Sequence, residues 1–259
     1  MAHEEPDTGL DAAPSQPIDT RSTTGPAAVG DRLRAVGEVV LCSGFPTQLG
    51  IVVLLNLAGA TPVDAAGQLS LAYIVTLSVI DAGLIIALVW LLLVARGEQP
   101  IAILVGDRSK VSEGLLGLAL VPVALLLVTM AFSIMTKFAP WLHTVSENPF
   151  ETLLTSPAAA ILFGFVAVVA GGLREEIQRA FILRRFEQHL GGPVLGLVIF
   201  STAFGLGHLV QGQDAAIVTG LLGALWGAVY LKRRSIVAPI VCHSIFNLVE
   251  VTIAYLGAS

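Results

Sequence analysis

The chain alternates between long apolar runs and short polar breaks, and the runs have the length of membrane spans. A bilayer core about 30 Å thick takes roughly 20 apolar residues in helix, and about seven stretches meet or approach that length. They cover residues 39–58, 69–95, 115–136, 157–173, 193–209, 215–231 and 236–256. The first is the weakest, because Ser43, Pro46, Thr47, Gln48 and Asn56 interrupt it. The second is long enough to tilt, or to break at Asp81-Ala82-Gly83 and so yield an eighth helix. In the fourth, the helical pattern does not stop at Leu173. It continues through Glu175, Ala180, Phe181 and Phe186 to Gly191-Gly192-Pro193, where paired glycines and a proline end it. That helix outruns the bilayer and projects its basic end, with Arg184, Arg185 and His189. The pattern predicts an all-α polytopic transmembrane helix bundle of about 7–8 spans.

Composition agrees. Of the 259 residues 55% are hydrophobic and 13% charged, against about 25% charged in a soluble domain. The lipid bilayer is therefore the expected solvent, and the expected location is the cell membrane, multi-pass. The net charge of −5 reflects acids crowded near the start (Glu4, Glu5, Asp7, Asp11, Asp19), and no basic surface for nucleic acid appears. Cys42 and Cys242 lie in apolar stretches without metal or disulfide spacing and read as small buried side chains. The first residues lack the basic and apolar regions of a secretory signal. Residues 1–34 read as a disordered cytoplasmic tail, 35–150 as N-terminal transmembrane helices, and 151–259 as a second helix bundle that carries the chemistry.

Basic residues set the orientation. With the N-terminus in the cytoplasm, Arg21, Arg32, Arg34, Arg96, Arg108, Lys110, Lys232, Arg233 and Arg234 fall inside, and Lys137 falls outside. Arg174, Arg184 and Arg185 then read as inner anchors. His143, Glu147 and Glu151 fall in a solvated outer loop. Gly223 and Gly227 form a GxxxG pair suited to close helix packing.

Ionisable groups inside a membrane are costly and usually functional. Four places stand out: Asp81, the Glu175-Glu176-Arg179 cluster, His208, and His243 with Asn247. Glu175 and His208 each lie about 16 residues from the Gly191-Gly192 turn, so an antiparallel hairpin brings both to one depth, roughly 24 Å from the turn. His243 lies about nine residues past Arg234, roughly 13 Å in. Glu175 and Arg179, Phe204 and His208, and His243 and Asn247 are i,i+4 pairs, each on one helix face. Two chemistries suit such a site. A buried carboxylate can act as general base toward water, with histidine or asparagine stabilising the oxyanion. Alternatively Glu175, His208 and His243 could hold a divalent metal such as zinc, although the HExxH spacing is absent.

The same residues carry a resemblance. Arg174-Glu175-Glu176-Ile177-Gln178-Arg179-Ala180-Phe181 resembles the diglutamate motif of the CAAX prenyl protease and bacteriocin-processing family, with its type II CAAX prenyl endopeptidases. Phe204-Gly205-Leu206-Gly207-His208 is similar to that family's FxxxH motif, and His243-Ser244-Ile245-Phe246-Asn247 to its HxxxN motif. The three occur in the family's order within about 157–256. The resemblance implies an intramembrane endopeptidase acting on a peptide or protein substrate, membrane-associated or lipidated. It implies that Glu175 activates water, His208 helps hold it, His243 and Asn247 form the oxyanion site, and Glu176 supports them. Family members are often called metalloproteases, and the resemblance leaves the metal open. The family pattern EExxxR places arginine where this chain has Ala180. Arg179 comes one step early, still within i+4 reach of Glu175. The expected site is reached from the cytoplasmic side. Two alternatives stand beside the protease: a non-catalytic immunity, scaffold or peptide-binding protein of the same fold, and a proton-coupled transporter.

Overall fold

A computed structural model describes residues 26–63, 67–146 and 148–258. The fold is all-α: the structure is 81% helical, and the described residues form no strand. Helix α1 (Pro26–Leu41) and α2 (Phe45–Leu57) form a bent pair with 43° between them. The bend sits at Gly44, whose φ of 90° suits a residue without a Cβ. Of the expected tail, residues 1–25 lie outside the described residues; from Pro26 the chain is already helical.

Helix α3 (Leu71–Ala95) starts at Ser70, whose hydroxyl accepts the Tyr73 N–H. It runs without a break through Asp81, so the eighth helix does not arise. After the short α4 (Pro100–Leu104), α5 (Lys110–Phe138) carries Pro122 inside it. The chain then enters a loop with two short turns. Ser156 caps the next helix, with Pro157 at its first position. That helix is long and continuous: α6 (Pro157–Val166), a π-helical stretch (Ala167–Arg174), and α7 (Glu175–His189). Gly191 and Gly192, at φ 95° and 100°, reverse the chain into α8 (Pro193–Leu206). Helices α9 (Gln213–Arg233) and α10 (Val237–Ala258) complete the bundle.

Among the described residues, five helices are long and apolar enough to cross a membrane, or six with the bent pair counted as one span. The shortfall from seven lies mainly in α8. With 14 residues it reaches about 21 Å, short of a bilayer core. Outward faces are greasy, with Leu126, Met130 and Ile134 of α5 and Ile161 and Phe165 of α6 exposed, as expected of surfaces in contact with lipid.

Two apolar clusters pack the interior. One joins α3, α7 and α8 around Ile85, Val89, Phe181 and Phe200. The other joins α5, α9 and α10 around Val121, Leu222, Trp226 and Phe246. Phe204 packs against both.

Polar contacts tie the elements at two levels. At one end Glu38 meets Arg96 and Arg185, and Glu113 meets Arg233. Midway, Asp81 Oδ2 accepts from Arg174 Nη2 at 2.5 Å, and its Oδ1 accepts from Thr47 at 2.6 Å. Asp81 is thus the partner of other helices' polar groups. Arg174 and Arg185 are buried rather than solvated anchors, because each has a carboxylate to neutralise it inside the bundle. Arg184 is the half-exposed one, beside Glu98 and Glu187.

Candidate active site

The π-helical stretch sets the site. A π turn holds more residues than an α turn and so re-aims the side chains beyond it. Here it ends at Arg174, and Glu175 is the first residue of α7. Gly171 and Gly172 within it let α10 approach. A Cβ on Gly172 would lie 3.0 Å from Ser244 Cβ and 3.1 Å from its Cα, and Asn247 Nδ2 donates to the Ala167 carbonyl at 3.0 Å. His243 therefore reaches the two glutamates. Its Nδ1 is 2.8 Å from Glu176 Oε1, and its Nε2 is 3.9 Å from Glu175 Oε2.

Glu176 is fixed from both sides. It is 1% exposed and also pairs with Arg179. A carboxylate so paired accepts, so His243 Nδ1 carries the hydrogen and donates it. Arg179 has no exposed surface. Its guanidinium carbon lies 4.9 Å from the Phe204 ring centroid, 5.3 Å from Phe200 and 5.6 Å from Trp226. These are cation–π distances. The expected i+4 bond from Arg179 to Glu175 is replaced by an i+3 pair with Glu176. Glu175 is left with one oxygen near His243 and its carboxyl turned to a cavity of about 520 Å³.

His208, Phe204, Asn247 and His243 line the same cavity. His208 does not lie on a helix as expected: α8 stops at Leu206, and His208 precedes a short turn. The i,i+4 relation survives, since the His208 ring meets Phe204 edge-on at 5.0 Å and its Nδ1 is 2.9 Å from the Phe204 carbonyl. A carbonyl can only accept, so Nδ1 donates and Nε2 is free. His143, expected in a solvated loop, is exposed yet pairs with Asp214 at 2.7 Å. Glu151 is exposed, and Glu147 lies outside the described residues.

Four contributors escaped the sequence reading. Trp226 stacks on His243 at 3.7 Å and 15°, and its Nε1–H donates to Cys242. Phe200 completes the aromatic cage. Gly171 and Gly172 allow the close approach of α10. The signal for Trp226 was its place inside the Gly223–Gly227 pair, and Gly227 has Arg179 Cδ 3.4 Å from its would-be Cβ.

The metal alternative can be tested on this geometry. Ligands to one zinc lie about 2 Å from it. Among the described residues, no three His, Cys, Asp or Glu side chains converge closely enough to hold a metal ion. The set Glu175, His208 and His243 does not fit as it stands, and no step is derived through a metal.

Residues 157–249 match the family described as type II CAAX prenyl endopeptidase Rce1-like. No curated protein and no solved structure matches the chain. The stretch that matches this family's model carries Glu175, Glu176, His208, His243 and Asn247, and the match supports an intramembrane protease function in general terms.

Proposed function

We propose that the protein is an intramembrane endopeptidase in which Glu175 activates a water molecule against a peptide carbonyl. Glu175 takes the proton as the water oxygen bonds to the carbonyl carbon. The oxyanion forms against Asn247 Nδ2, whose second hydrogen is free for it, and against His243 Nε2–H, with the ring entering the step as an imidazolium that has taken its second proton from solvent beforehand and has Glu176 as counter-charge. The tetrahedral species then collapses. The C–N bond breaks, and Glu175 returns its proton to the leaving amine. His208, with Nδ1 committed to Phe204, offers Nε2 to orient the water. Arg179 is a positioning residue: it holds Glu176, which holds His243. The helices before residue 151 brace this machinery, with Asp81 gripping Arg174 one residue before Glu175.

One observation carries the reading. At the deep end of a cavity, Glu175 Oε2 faces His243 Nε2 at 3.9 Å while Glu176 fixes the other ring nitrogen. That gap suits a water or a reacting oxygen between the two groups.

The test compares protein termini in cells expressing wild type or Glu175→Gln, which keeps shape but removes the base. General base catalysis contributes about 10²–10⁴-fold, so termini produced by the wild type should fall by that factor. Identical termini in both, with both proteins folded and abundant in the membrane, would transfer the reading to a non-catalytic peptide-binding protein.

A further inference from the structure

The two ends of the bundle differ in charge and in closure. At one end gather Arg34, Arg96, Arg184 and Arg185, stitched to Glu38 and Glu98. Arg233 and Arg234 join them, paired with Glu113 and Glu187. Among the described residues, Lys137 is the only lysine or arginine at the other end.

The cavity runs away from the basic end. On α9 its lining comes from Asp214 up to Trp226, and from nothing nearer Arg233. On α10 it starts at His243 and continues to Ala254. On α5 it uses only Val128 and Phe132, and on the long helix nothing beyond Glu175. Past the helix ends it reaches Ser146, Asn148, Glu151 and Gln211, in the connections opposite the basic end. Glu175 faces His243 at 3.9 Å, and His243 lies about nine residues past Arg234, so both stand roughly 13 Å in from the basic end, near the middle of a 30 Å core.

Basic residues flanking spans stay on the cytoplasmic side. We propose, resting on the peptidase reading above, that the cavity opens on the non-cytoplasmic face. Its substrate is then a peptide segment presented from that side, in an exported protein or in the outer flank of a membrane protein. This reverses the cytoplasmic access expected from the sequence. The depth of Glu175 relative to the basic turn was legible there, but the side on which the helices part was not.

Sidedness and substrate are tested together on the full chain. Lys137→Cys and Lys232→Cys are exposed positions at opposite ends, and the native Cys42 and Cys242 are buried. Cells carrying either variant in the plasma membrane are treated with a membrane-impermeant maleimide before and after permeabilisation. The proposal expects Lys137→Cys to label in intact cells and Lys232→Cys only after permeabilisation. It further expects the Glu175-dependent termini to map to non-cytoplasmic segments. The reverse labelling overturns it, as do Glu175-dependent termini in cytoplasmic segments. Expected labelling without any Glu175-dependent terminus removes the peptidase reading and the substrate class with it, and leaves the direction of the cavity standing.

Discussion

Arg179 offers the sharpest test of how the site is held. It is fully buried, pairs with a glutamate that is 1% exposed, and lies over three aromatic rings. Arg179→Leu leaves Glu176 charged and unpaired, and breaking a buried pair from one side costs about 3–5 kcal/mol. Loss of the ring contacts adds about 1 kcal/mol. The sum, about 4–6 kcal/mol, is a large part of the 5–15 kcal/mol that typically holds a protein folded. The companion change Glu176→Gln removes the stranded charge and still accepts the His243 Nδ1–H. The double variant should therefore be more stable than Arg179→Leu alone, with a coupling of about 2–3 kcal/mol in a double-mutant cycle. The assay is reversible unfolding of the four proteins by denaturing detergent in mixed micelles. Arg179→Lys separates the two contributions, because it keeps the charge and loses the planar face. Additivity within about 0.5 kcal/mol would refute the claim that Arg179 acts through Glu176. It would return the displaced arginine to the status of a bystander.

Other expectations rest on the same contacts. Gly172→Val drives a side chain into Ser244 and should destabilise by about 1–3 kcal/mol and lower cleavage; normal thermal unfolding of this variant in nanodiscs would show that α10 need not lie so close. Asp81→Ala strands the buried Arg174 and should cost about 3 kcal/mol, with the milder Asp81→Asn recovering part of it in the same assay. Glu98 lies outside the spans. Burial pushes its carboxyl up, but hydrogen bonds and charge from Arg185 and Arg184 outweigh this and hold it below the usual carboxylate range. A depressed value means stability that is present above the unfolded carboxyl's range and lost as pH falls through the folded one. Thermal unfolding followed across the acid range should therefore show a steeper loss for wild type than for Glu98→Gln, and identical acid limbs would sink the assignment.

Much of this architecture could be read from residue order alone, because membrane helices announce themselves by length and glycine-proline breaks. The Gly191-Gly192 turn and the long helix through Glu175 come from counting along a helix, whereas the count left His243 at another depth, and its approach to Glu175 depends on how α10 packs against Gly171 and Gly172. The features that escaped depend on how helices touch. The stop of α8 at Leu206 is invisible to hydropathy, since the apolar run continues to Leu209 and Val210. Arg174 and Arg185 look like interfacial anchors in the sequence. Only the carboxylates of Asp81, Glu38 and Glu98, from distant stretches, make their burial tolerable. Arg179 was legible as a departure from EExxxR, but its destination was not. One residue per turn decides between Glu175 and Glu176, and the cage of Phe200, Phe204 and Trp226 comes from two other helices.

The polar contacts also explain why one end can open while the other stays shut. At the basic end, four carboxylates bind arginines from other elements, so prising α1, α5, α7 and α9 apart there would strand several charges at once. At the opposite end the comparable ties are His143 with Asp214, and the Gln213 N–H donating to Thr144. His143 is largely exposed while Asp214 is buried, so opening this end breaks one such pair, against several at the basic end. The long helix serves both ends. Its α7 portion is locked among arginine pairs, while its π-helical stretch, where backbone bonding is less regular, faces the cavity.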